Sequence, residues 1–476
     1  MSGTTQHAVL AAFLALWLPA APPNLRAQNE PGDRINEYVR AEMKRLQIPG
    51  FALQVLRNHR VILTANYGIA DPLTGAPVTE HTSFEIASIS KQFTDAAVLL
   101  LADKGILAVT DRLSKYLPDV PPAWRTITIQ QLMNHTAGLR DDWDEDDAYF
   151  TSKTTNQQFF EALKASPLKF PPGSDWSYGC GPFVLGLVIE SVTGMSYAQF
   201  MRESIFRPLG MTSTSVNDDS INVPGRASGF TMRNGLIQPG VHISRAARAR
   251  ADVGIRTTSH DLALWNAALD GSLLLSPASK KLMFTPGRLN NGEVIAHGLG
   301  WFVTPFRGHK EIAHGGRFRT GFSAFVGRYP DDSLTIIVLS NQFKTQPSEM
   351  VRAIASFYDS DYRPIHTMQP RPDSNPSRSR VAARILNALK DGSRAAELLP
   401  DVGRLGGWSR EELRQELAQS SPPVFVDCQS LAGMNAKAFG TPVAANCFFR
   451  TDGDKSRYWT FSFTARGRVA YVELEQ

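Results

Sequence analysis

The chain is poor in cysteine and has no dense run of one charge. Its 476 residues carry a net charge of +5, with lysine and arginine interleaved among aspartate and glutamate. Nucleic-acid-binding proteins usually concentrate their basic residues on one surface. The composition therefore argues against a nucleic-acid partner.

Only three cysteines occur, Cys180, Cys428 and Cys447. In an oxidising compartment an odd count leaves one thiol unpaired. Cys428 and Cys447 lie near each other in the C-terminal region and could pair. Cys180 would then be free.

Long apolar runs are also absent after the first residues of the chain. Residues 8–21 form an apolar stretch that is too short to span a bilayer comfortably. Its length is typical of a secretory signal peptide, with cleavage near Ala27, and an uncleaved anchor is the alternative. We expect residues 1–30 to be a signal peptide and tail. The protein would then be periplasmic or secreted, with no transmembrane helix after processing.

Two common hydrolase signatures are missing. No Gly-x-Ser-x-Gly sequence occurs, which disfavours an α/β-hydrolase. His309 and His314 form an isolated His-x4-His pair without further ligands at zinc spacing. We therefore expect neither a metal site nor an organic cofactor.

Strand patterns lie at both ends of residues 31–360, and helical patterns with proline and glycine breaks fill the middle. Residues 51–56 and 61–67 are strand-like near one end, and residues 301–304, 321–328 and 334–339 near the other. The simplest packing is an α+β fold. In it, one antiparallel sheet is made from both chain ends, with the helical region inserted beside it.

The last part of the chain reads as a separate unit. Residues 361–380 contain four prolines and few apolar residues, which predicts a linker. Residues 381–476 then predict a small α+β domain of two helices and four strands. Trp459, Phe461 and Phe463 alternate with polar residues, as in a half-buried strand. This domain has no catalytic signature. It could bind cell-wall material, a partner or the catalytic domain itself.

Ser88 and Lys91 are the first candidates for chemistry. A serine and a lysine three residues apart on a helix share one face. The amine can take the hydroxyl proton if its environment keeps it neutral, and the helix N-terminus can help stabilise an oxyanion. Taken alone, the pattern also fits a serine that caps a helix and a solvated lysine.

A second Ser-x-x-Lys pattern occurs at Ser166 and Lys169. Pro167 follows that serine directly, and two more prolines come soon after. We expect no long helix there, so this second pair need not share a face.

Seven segments, taken in order, resemble the class C β-lactamase and penicillin-binding-protein-like family over about residues 31–360. They are residues 84–94 (FEIASISKQFT), 132–139 (LMNHTAGL), 170–178 (FPPGSDWSY), 205–211 (IFRPLGM), 254–262 (GIRTTSHDL), 298–301 (GLGW) and 314–316 (HGG). The resemblance implies a β-lactamase/transpeptidase-like fold and a serine hydrolase.

The resemblance also implies the role of each site residue. Ser88 would attack a carbonyl and form an acyl-enzyme, while Lys91 and Tyr178 would share the proton transfers. The oxyanion would lie between the backbone N–H groups of Ser88 and Arg317, which follows Gly316. His314 would line the site on the edge strand of the sheet and bind a polar group of the substrate. His135 would have a structural role, fixing a loop by hydrogen bonds.

One residue departs from the family pattern. The family usually has Tyr-x-Asn where this chain has Tyr178-Gly179-Cys180. The asparagine amide contacts the lysine and the substrate, and a thiol cannot replace both contacts. We therefore expect slow turnover of β-lactams, or a preference for simpler esters.

Two functions remain open from the sequence. The first is an exported serine hydrolase acting on an ester, amide or β-lactam, with a small-molecule or peptidoglycan-like acyl substrate. The alternative is a catalytically impaired binding or sensing protein on the same fold, which Cys180 motivates. The sequence does not distinguish them.

Overall fold

The computed structural model describes residues 31–140, 155–216, 225–233, 236–306, 308–363, 365–399, 405, 409–431, 434–438, 441–454 and 456–475. The predicted signal peptide and its cleavage point lie outside these ranges.

The described residues contain nineteen strands and twelve α-helices. The strands are β1 (Gly50–Arg57), β2 (Arg60–Asp71), β3 (Ala76–Pro77), β4 (Phe84–Glu85), β5 (Ser215–Val216), β6 (Phe230–Arg233), β7 (Leu236–Pro239), β8 (Ile255–Thr257), β9 (Val294–Ile295), β10 (Phe302–Phe306), β11 (His309–Phe318), β12 (Phe322–Tyr329), β13 (Leu334–Ser340), β14 (Val424–Ser430), β15 (Met434–Ala438), β16 (Thr441–Val443), β17 (Ala445–Thr451), β18 (Arg457–Phe463) and β19 (Val469–Glu475). The helices are α1 (Pro31–Leu46), α2 (Ser90–Asp103), α3 (Ile129–Met133), α4 (Asn156–Ala165), α5 (Gly181–Thr193), α6 (Tyr197–Met201), α7 (Arg245–Arg248), α8 (Ser259–Asp270), α9 (Pro277–Met283), α10 (Pro347–Ala355), α11 (Pro376–Lys390) and α12 (Arg410–Leu417).

A seven-stranded sheet forms the centre of the larger unit, in the order β10-β11-β12-β13-β1-β2-β3. Neighbouring strands are antiparallel. The β1–β2 hairpin turns through Asn58 and His59, which both have positive φ, as two-residue hairpins prefer. The predicted sheet built from both chain ends is confirmed.

Two hydrophobic layers cover this sheet. On one face, Ile35 and Val39 of α1 pack with Met350, Val351 and Ile354 of α10. The other face meets the inserted helical region, in which nearly every residue of α2 is buried. Packing against the sheet thus holds α2 in place, together with the segment that contains Ser88.

Ser88 lies just before helix α2 and not inside it. A 3-10 turn covers Ala87–Ile89, and α2 starts at Ser90. Ala87 has a φ of +46°, a conformation that no α-helix contains. Gly105, with a φ of +70°, follows the helix end, where glycine commonly adopts the left-handed conformation.

In the strand order β11 stands second, but β10 pairs only with residues 309–313 of β11. Within the described residues, His314 and the residues after it therefore lie on the open edge of the sheet, as expected. The antiparallel pairing of β10 with β11, which includes Phe306 opposite His309, makes the two strands a hairpin beside the site.

The C-terminal unit has a four-stranded antiparallel sheet in the order β14-β17-β18-β19. Helices α11 and α12 pack on it, and Trp459, Phe461 and Phe463 are fully buried. Helix α11 starts at Pro376, inside the segment predicted as a linker, because proline is well suited to a first helical turn.

The cysteines are arranged as expected. A disulfide joins Cys428 on β14 to Cys447 on β17, and Cys180 is buried and lies outside the disulfide. The predicted pairing is therefore confirmed.

No single helix in the described ranges is long and apolar enough to cross a membrane. The segments Gly181–Thr193 and Tyr197–Phe206 meet that requirement only as a pair, and the pair is bent by 81°.

Candidate active site

Ser88 lies at a strained turn in front of α2. The preceding residue, Ala87, has positive φ, which is uncommon for a residue with a side chain and often marks functional sites. Ala87 and Ile89 are buried, while Ser88 is half-buried. The turn therefore presents the Ser88 hydroxyl toward the surface and withdraws its neighbours.

Lys91 is buried and reaches the Ser88 hydroxyl. Its Nζ lies 3.1 Å from Ser88 Oγ and donates a hydrogen bond of 3.2 Å to the carbonyl of Asp252. The amine also lies 4.8 Å from the centre of the Tyr178 ring. At this distance Lys91 can exchange a proton with the serine directly.

The Asp252 carbonyl is itself held in place. Arg250 makes two hydrogen bonds to the Asp252 carboxylate, of 2.9 and 2.6 Å, and both side chains are buried. The Arg250 guanidinium also lies over the rings of Phe159 and Phe183. This ion pair fixes the loop that orients Lys91.

Tyr178 is positioned by His135. The backbone N–H of Ser177 donates to the His135 carbonyl at 3.1 Å, and that of Gly179 donates to its Nδ1 at 3.2 Å. The two bonds flank Tyr178, so the predicted structural role of His135 is confirmed.

Burial raises the pKa of Tyr178, while the charge of Lys91 and hydrogen bonds with Ser88 and Lys91 oppose the shift. The phenol is therefore protonated at neutral pH. It can therefore donate a proton to the leaving group of a reaction at Ser88.

His314 faces Tyr178 across the site, with Nε2 at 3.5 Å from the phenol oxygen. Its Nδ1 lies 2.6 Å from the carbonyl of Gly315, so Nδ1 carries the hydrogen of the neutral ring and Nε2 has the free lone pair. Burial, with a further contribution from His297 and Lys91, lowers the pKa of His314. The imidazole is thus a neutral acceptor for the Tyr178 hydroxyl.

Gly316 lets strand β11 touch the Ser88 turn. A Cβ atom at Gly316 would lie 2.0 Å from the carbonyl oxygen of Ile86 and 3.3 Å from the backbone nitrogen of Ser88. Only glycine fits such an approach. Arg317 follows on the same strand, and its side chain donates a hydrogen bond of 3.3 Å to the carbonyl of Thr345. The pairing of the Ser88 and Arg317 N–H groups in an oxyanion hole remains a prediction.

Cys180 directly precedes helix α5 and is fully buried. Its Sγ lies 3.8 Å from the carbonyl of Arg140, a weak contact for a thiol. Cys180 lies two residues after Tyr178 in the chain. Its effect on substrate binding remains a prediction.

His297 belongs to the site although sequence reasoning missed it. Its ring centre lies 4.7 Å from that of His135, 4.9 Å from that of Phe302 and 6.4 Å from that of Tyr178. Burial lowers its pKa to about 4. Its position directly before the Gly298-Leu299-Gly300-Trp301 motif is the only signal that the sequence offered.

The rival Ser166–Lys169 pattern is not a site. Helix α4 ends at Ala165, and Ser166 has an extended backbone. Its hydroxyl donates to the carbonyl of Ala162. This pair therefore cannot share a helix face, as expected.

One group of side chains among the described residues has donor atoms close enough to share a metal ion: His309, Asp332 and Asp359, within 4.8 Å of one another. The His309 Nδ1 already lies 3.1 Å from Asp332 Oδ2. His314 is not in this group, so the two histidines of the His-x4-His pair have different surroundings.

Known proteins share sequence with this chain. The family model described as Beta-lactamase matches residues 35–358. Penicillin-binding protein 4* of Bacillus subtilis is 31% identical over 392 residues, which cover 76% of this chain and 84% of that protein. Protein flp of Staphylococcus aureus is 27% identical over 329 residues, with 66% of this chain and 64% of that protein covered.

Two solved structures share the fold. A penicillin-binding protein from Bacillus halodurans superposes with a TM-score of 0.58 and 24% identity, over 68% of this chain and 98% of that one. The octameric penicillin-binding protein homologue from Pyrococcus abyssi gives a TM-score of 0.62 and 18% identity, over 93% and 99% of the two chains.

Proposed function

Because the chain belongs to the beta-lactamase family, we propose that it is an exported serine hydrolase that forms an acyl-enzyme on Ser88. Family membership supports a serine hydrolase in general. The observation that carries the finer proposal is the 3.1 Å distance from Lys91 Nζ to Ser88 Oγ, beside a buried, protonated Tyr178.

Acylation begins with proton transfer. The Ser88 hydroxyl gives its proton to Lys91, which must first lose a proton of its own, as Oγ forms a bond to the substrate carbonyl carbon. The negative charge that develops on the carbonyl oxygen is stabilised by the N–H groups of Ser88 and Arg317. When the carbonyl re-forms, the bond to the leaving group breaks and Tyr178 protonates that group.

Proton balance is then restored through the neighbours of Tyr178. Lys91 returns the serine proton to the phenol, whose oxygen also contacts the neutral His314 Nε2. In the second half of the cycle a water molecule attacks the acyl carbon and gives its proton to Lys91, and Lys91 passes that proton to Ser88 Oγ as the bond from Oγ to the acyl carbon breaks. The acid is released and Ser88 regains its hydroxyl.

The substrate that we propose is an ester, amide or β-lactam, either a small molecule or a peptidoglycan-like acyl compound. The family match and the name of the Bacillus subtilis relative, a penicillin-binding protein, support this range. Cys180 in place of an amide side chain favours substrates that need no amide contact.

A substrate panel tests the proposal. Purified full-length protein is assayed on nitrophenyl esters, a chromogenic cephalosporin and D-alanyl peptides, with Ser88→Ala as the control. We expect turnover of at least one ester, lost in Ser88→Ala. If no substrate class is hydrolysed, or if Ser88→Ala is equally active, the proposed reaction is wrong.

The second candidate is a binding or sensing protein with impaired chemistry, which the buried Cys180 thiol favours. Such a protein would bind a penicillin reversibly and show no covalent adduct on Ser88. Mass spectrometry after incubation with penicillin separates it from the hydrolase.

We also propose that the protein is exported. The Cys428–Cys447 disulfide supports this because such bonds persist in oxidising compartments. Fractionation of cells that express the full-length gene tests it. Recovery of the protein only in the cytoplasm, with reduced Cys428, would count against export.

A further inference from the structure

We propose that the C-terminal domain is a working part of the active site, because its strand β15 holds β9 and thereby positions His297 against Tyr178. This inference rests on the proposed function of Ser88. According to this inference, residues 381–476 support the reaction at Ser88 and need not bind a ligand of their own.

The two domains share a small sheet. Strand β15 pairs in parallel with β9, with Met434 opposite Val294 and Asn435 opposite Ile295. Strand β16 continues this sheet on the far side of β15. The C-terminal domain therefore extends a strand of the catalytic domain through the backbone.

Strand β9 is only two residues long and depends on its neighbours. On one side, the Ile295 N–H donates to the Gly287 carbonyl, and the Gly287 N–H donates to the His297 carbonyl, each at 2.9 Å. On the other side the neighbour is β15. Without that pairing, Val294 and Ile295 would have an open edge, while the Ala296 carbonyl would still accept from Val303 and the Gly298 N–H would still donate to Trp301.

His297 comes two residues after β9, and its imidazole packs inside the site. The ring is fully buried among the rings of His135, Phe302, Tyr178 and His314. Close-packed rings have little free space, so a shift of the backbone at β9 must move at least one of these neighbours. Tyr178 is the member of this group that contacts Ser88 and Lys91.

The hydrogen-bonding state of His297 makes its position matter. Its Nδ1 lies 2.9 Å from the Gly298 carbonyl, so in the neutral ring this nitrogen is the donor. Nε2 is then an acceptor, buried and without a hydrogen-bond partner. The Nε2 of His135 is also buried and unpartnered, and it carries the hydrogen of that ring because Nδ1 accepts from Gly179. A donor and an acceptor thus stand on adjacent rings behind Tyr178.

Two further contacts from the same domain reach the site region. The side-chain amide of Gln429 donates to the carbonyl of Pro305 on β10, the strand whose Phe302 stacks on Tyr178 at 5.9 Å. Burial lowers the pKa of Arg317, and the carboxylate of Glu473 on β19 opposes that shift. The domain therefore contacts β9 and β10, and Glu473 interacts electrostatically with Arg317.

The test breaks the β9–β15 ladder in the full-length protein. Asn435→Pro removes a backbone N–H and restricts φ, while Asn435→Ala changes the same side chain and leaves the backbone able to pair. The readouts are kcat and KM on a nitrophenyl ester and the rate of Ser88 labelling by a fluorophosphonate. We expect about a tenfold fall in kcat and in labelling rate for Asn435→Pro, with KM little changed, and near wild-type values for Asn435→Ala.

A second pair of variants covers the case in which Asn435→Pro does not fold. Met434→Pro, with Met434→Ala as its control, alters the same ladder at the first residue of β15, where proline is better tolerated. Folding of each variant is checked by thermal unfolding. Proline variants that are folded and as fast as their alanine controls would overturn the inference.

A double-variant cycle tests the path through His297. His297→Phe keeps a ring of similar size and removes the nitrogens. If β15 acts through His297, Asn435→Pro should slow the His297→Phe protein by less than about twofold, although it slows the wild type about tenfold. Independent, multiplicative effects would overturn that path.

The two proposals fail in different ways. A wild-type protein that is neither labelled nor active contradicts the proposed hydrolase. An active wild type whose folded proline variants are unimpaired contradicts only the role of the C-terminal domain.

Discussion

The contact between Gly316 and the Ser88 turn gives the sharpest prediction. In Gly316→Ala the new Cβ would lie 2.0 Å from the Ile86 carbonyl oxygen, whereas ordinary contacts begin at 3.4 Å. The neighbouring atoms are backbone, so the strand must move away from the turn by about 1.4 Å. Displacements of about 1 Å can cost about 100-fold in rate, and we expect a loss of that size in kcat/KM.

Gly315→Ala is the matched control. Its Cβ would point to the other face of β11, where the nearest atom is Cδ2 of the Phe325 side chain at 3.2 Å. A slight movement of that ring relieves the contact, so kcat/KM should stay within about threefold of the wild type. Both variants are assayed on the same nitrophenyl ester, and thermal unfolding verifies that each is folded. A folded Gly316→Ala protein with wild-type kcat/KM would refute the oxyanion role of this strand.

Three other expectations follow from single side chains. Cys180→Asn should raise kcat/KM on a chromogenic cephalosporin about tenfold or more by restoring an amide contact, and no gain would count against the idea. Burial lowers the pKa of His297 to about 4 from 6.5. As the pH falls, the His297 imidazole of the unfolded chain is therefore protonated before that of the folded chain, which favours unfolding. Urea unfolding should show that the wild type loses up to about 3 kcal/mol of stability between about pH 6.5 and 4, and that His297→Phe does not lose it. Glu85→Ala should lower the free energy of unfolding by about 3 kcal/mol, because it leaves Arg256, 4% exposed, without its carboxylate partner at 3.1 Å; a loss below about 1 kcal/mol would contradict this.

The local chemistry of the site was predictable from the sequence. Ser88 and Lys91 are three residues apart, and the 3-10 turn that leads into α2 keeps residues at this spacing on one face. The role of His135 also followed, since a buried histidine beside a loop usually satisfies backbone groups. In both cases the residues that make the contacts lie within one sequence motif or in two motifs that are close in the chain.

The features that the sequence did not predict depend on contacts between distant segments. The positive φ of Ala87 is supported by strand β11, more than two hundred residues later in the chain, through the space left by Gly316. His297 enters the site because its neighbours His135 and Tyr178 come from another part of the fold. The periodicity of apolar residues does not predict contacts between segments that are distant in the chain.

The docking of the C-terminal domain was hidden for the same reason. Strand β9 has two residues, too few for an alternating pattern, and its partner β15 lies about 140 residues further along the chain. The composition of residues 361–380 did predict a change of domain. That composition could not show that the C-terminal domain pairs a strand with the catalytic domain.

The most direct test of the account is the site at which a fluorophosphonate reacts. Ser90 provides the control because it is buried and its hydroxyl accepts a hydrogen bond of 3.0 Å from the Ile255 N–H, which is a structural role. Intact-mass measurement and peptide mapping should find one adduct, on Ser88, in the wild type and in Ser90→Ala, and none in Ser88→Ala. An adduct that persists in Ser88→Ala, or that maps to another residue, would contradict the assignment of Ser88 as the nucleophile.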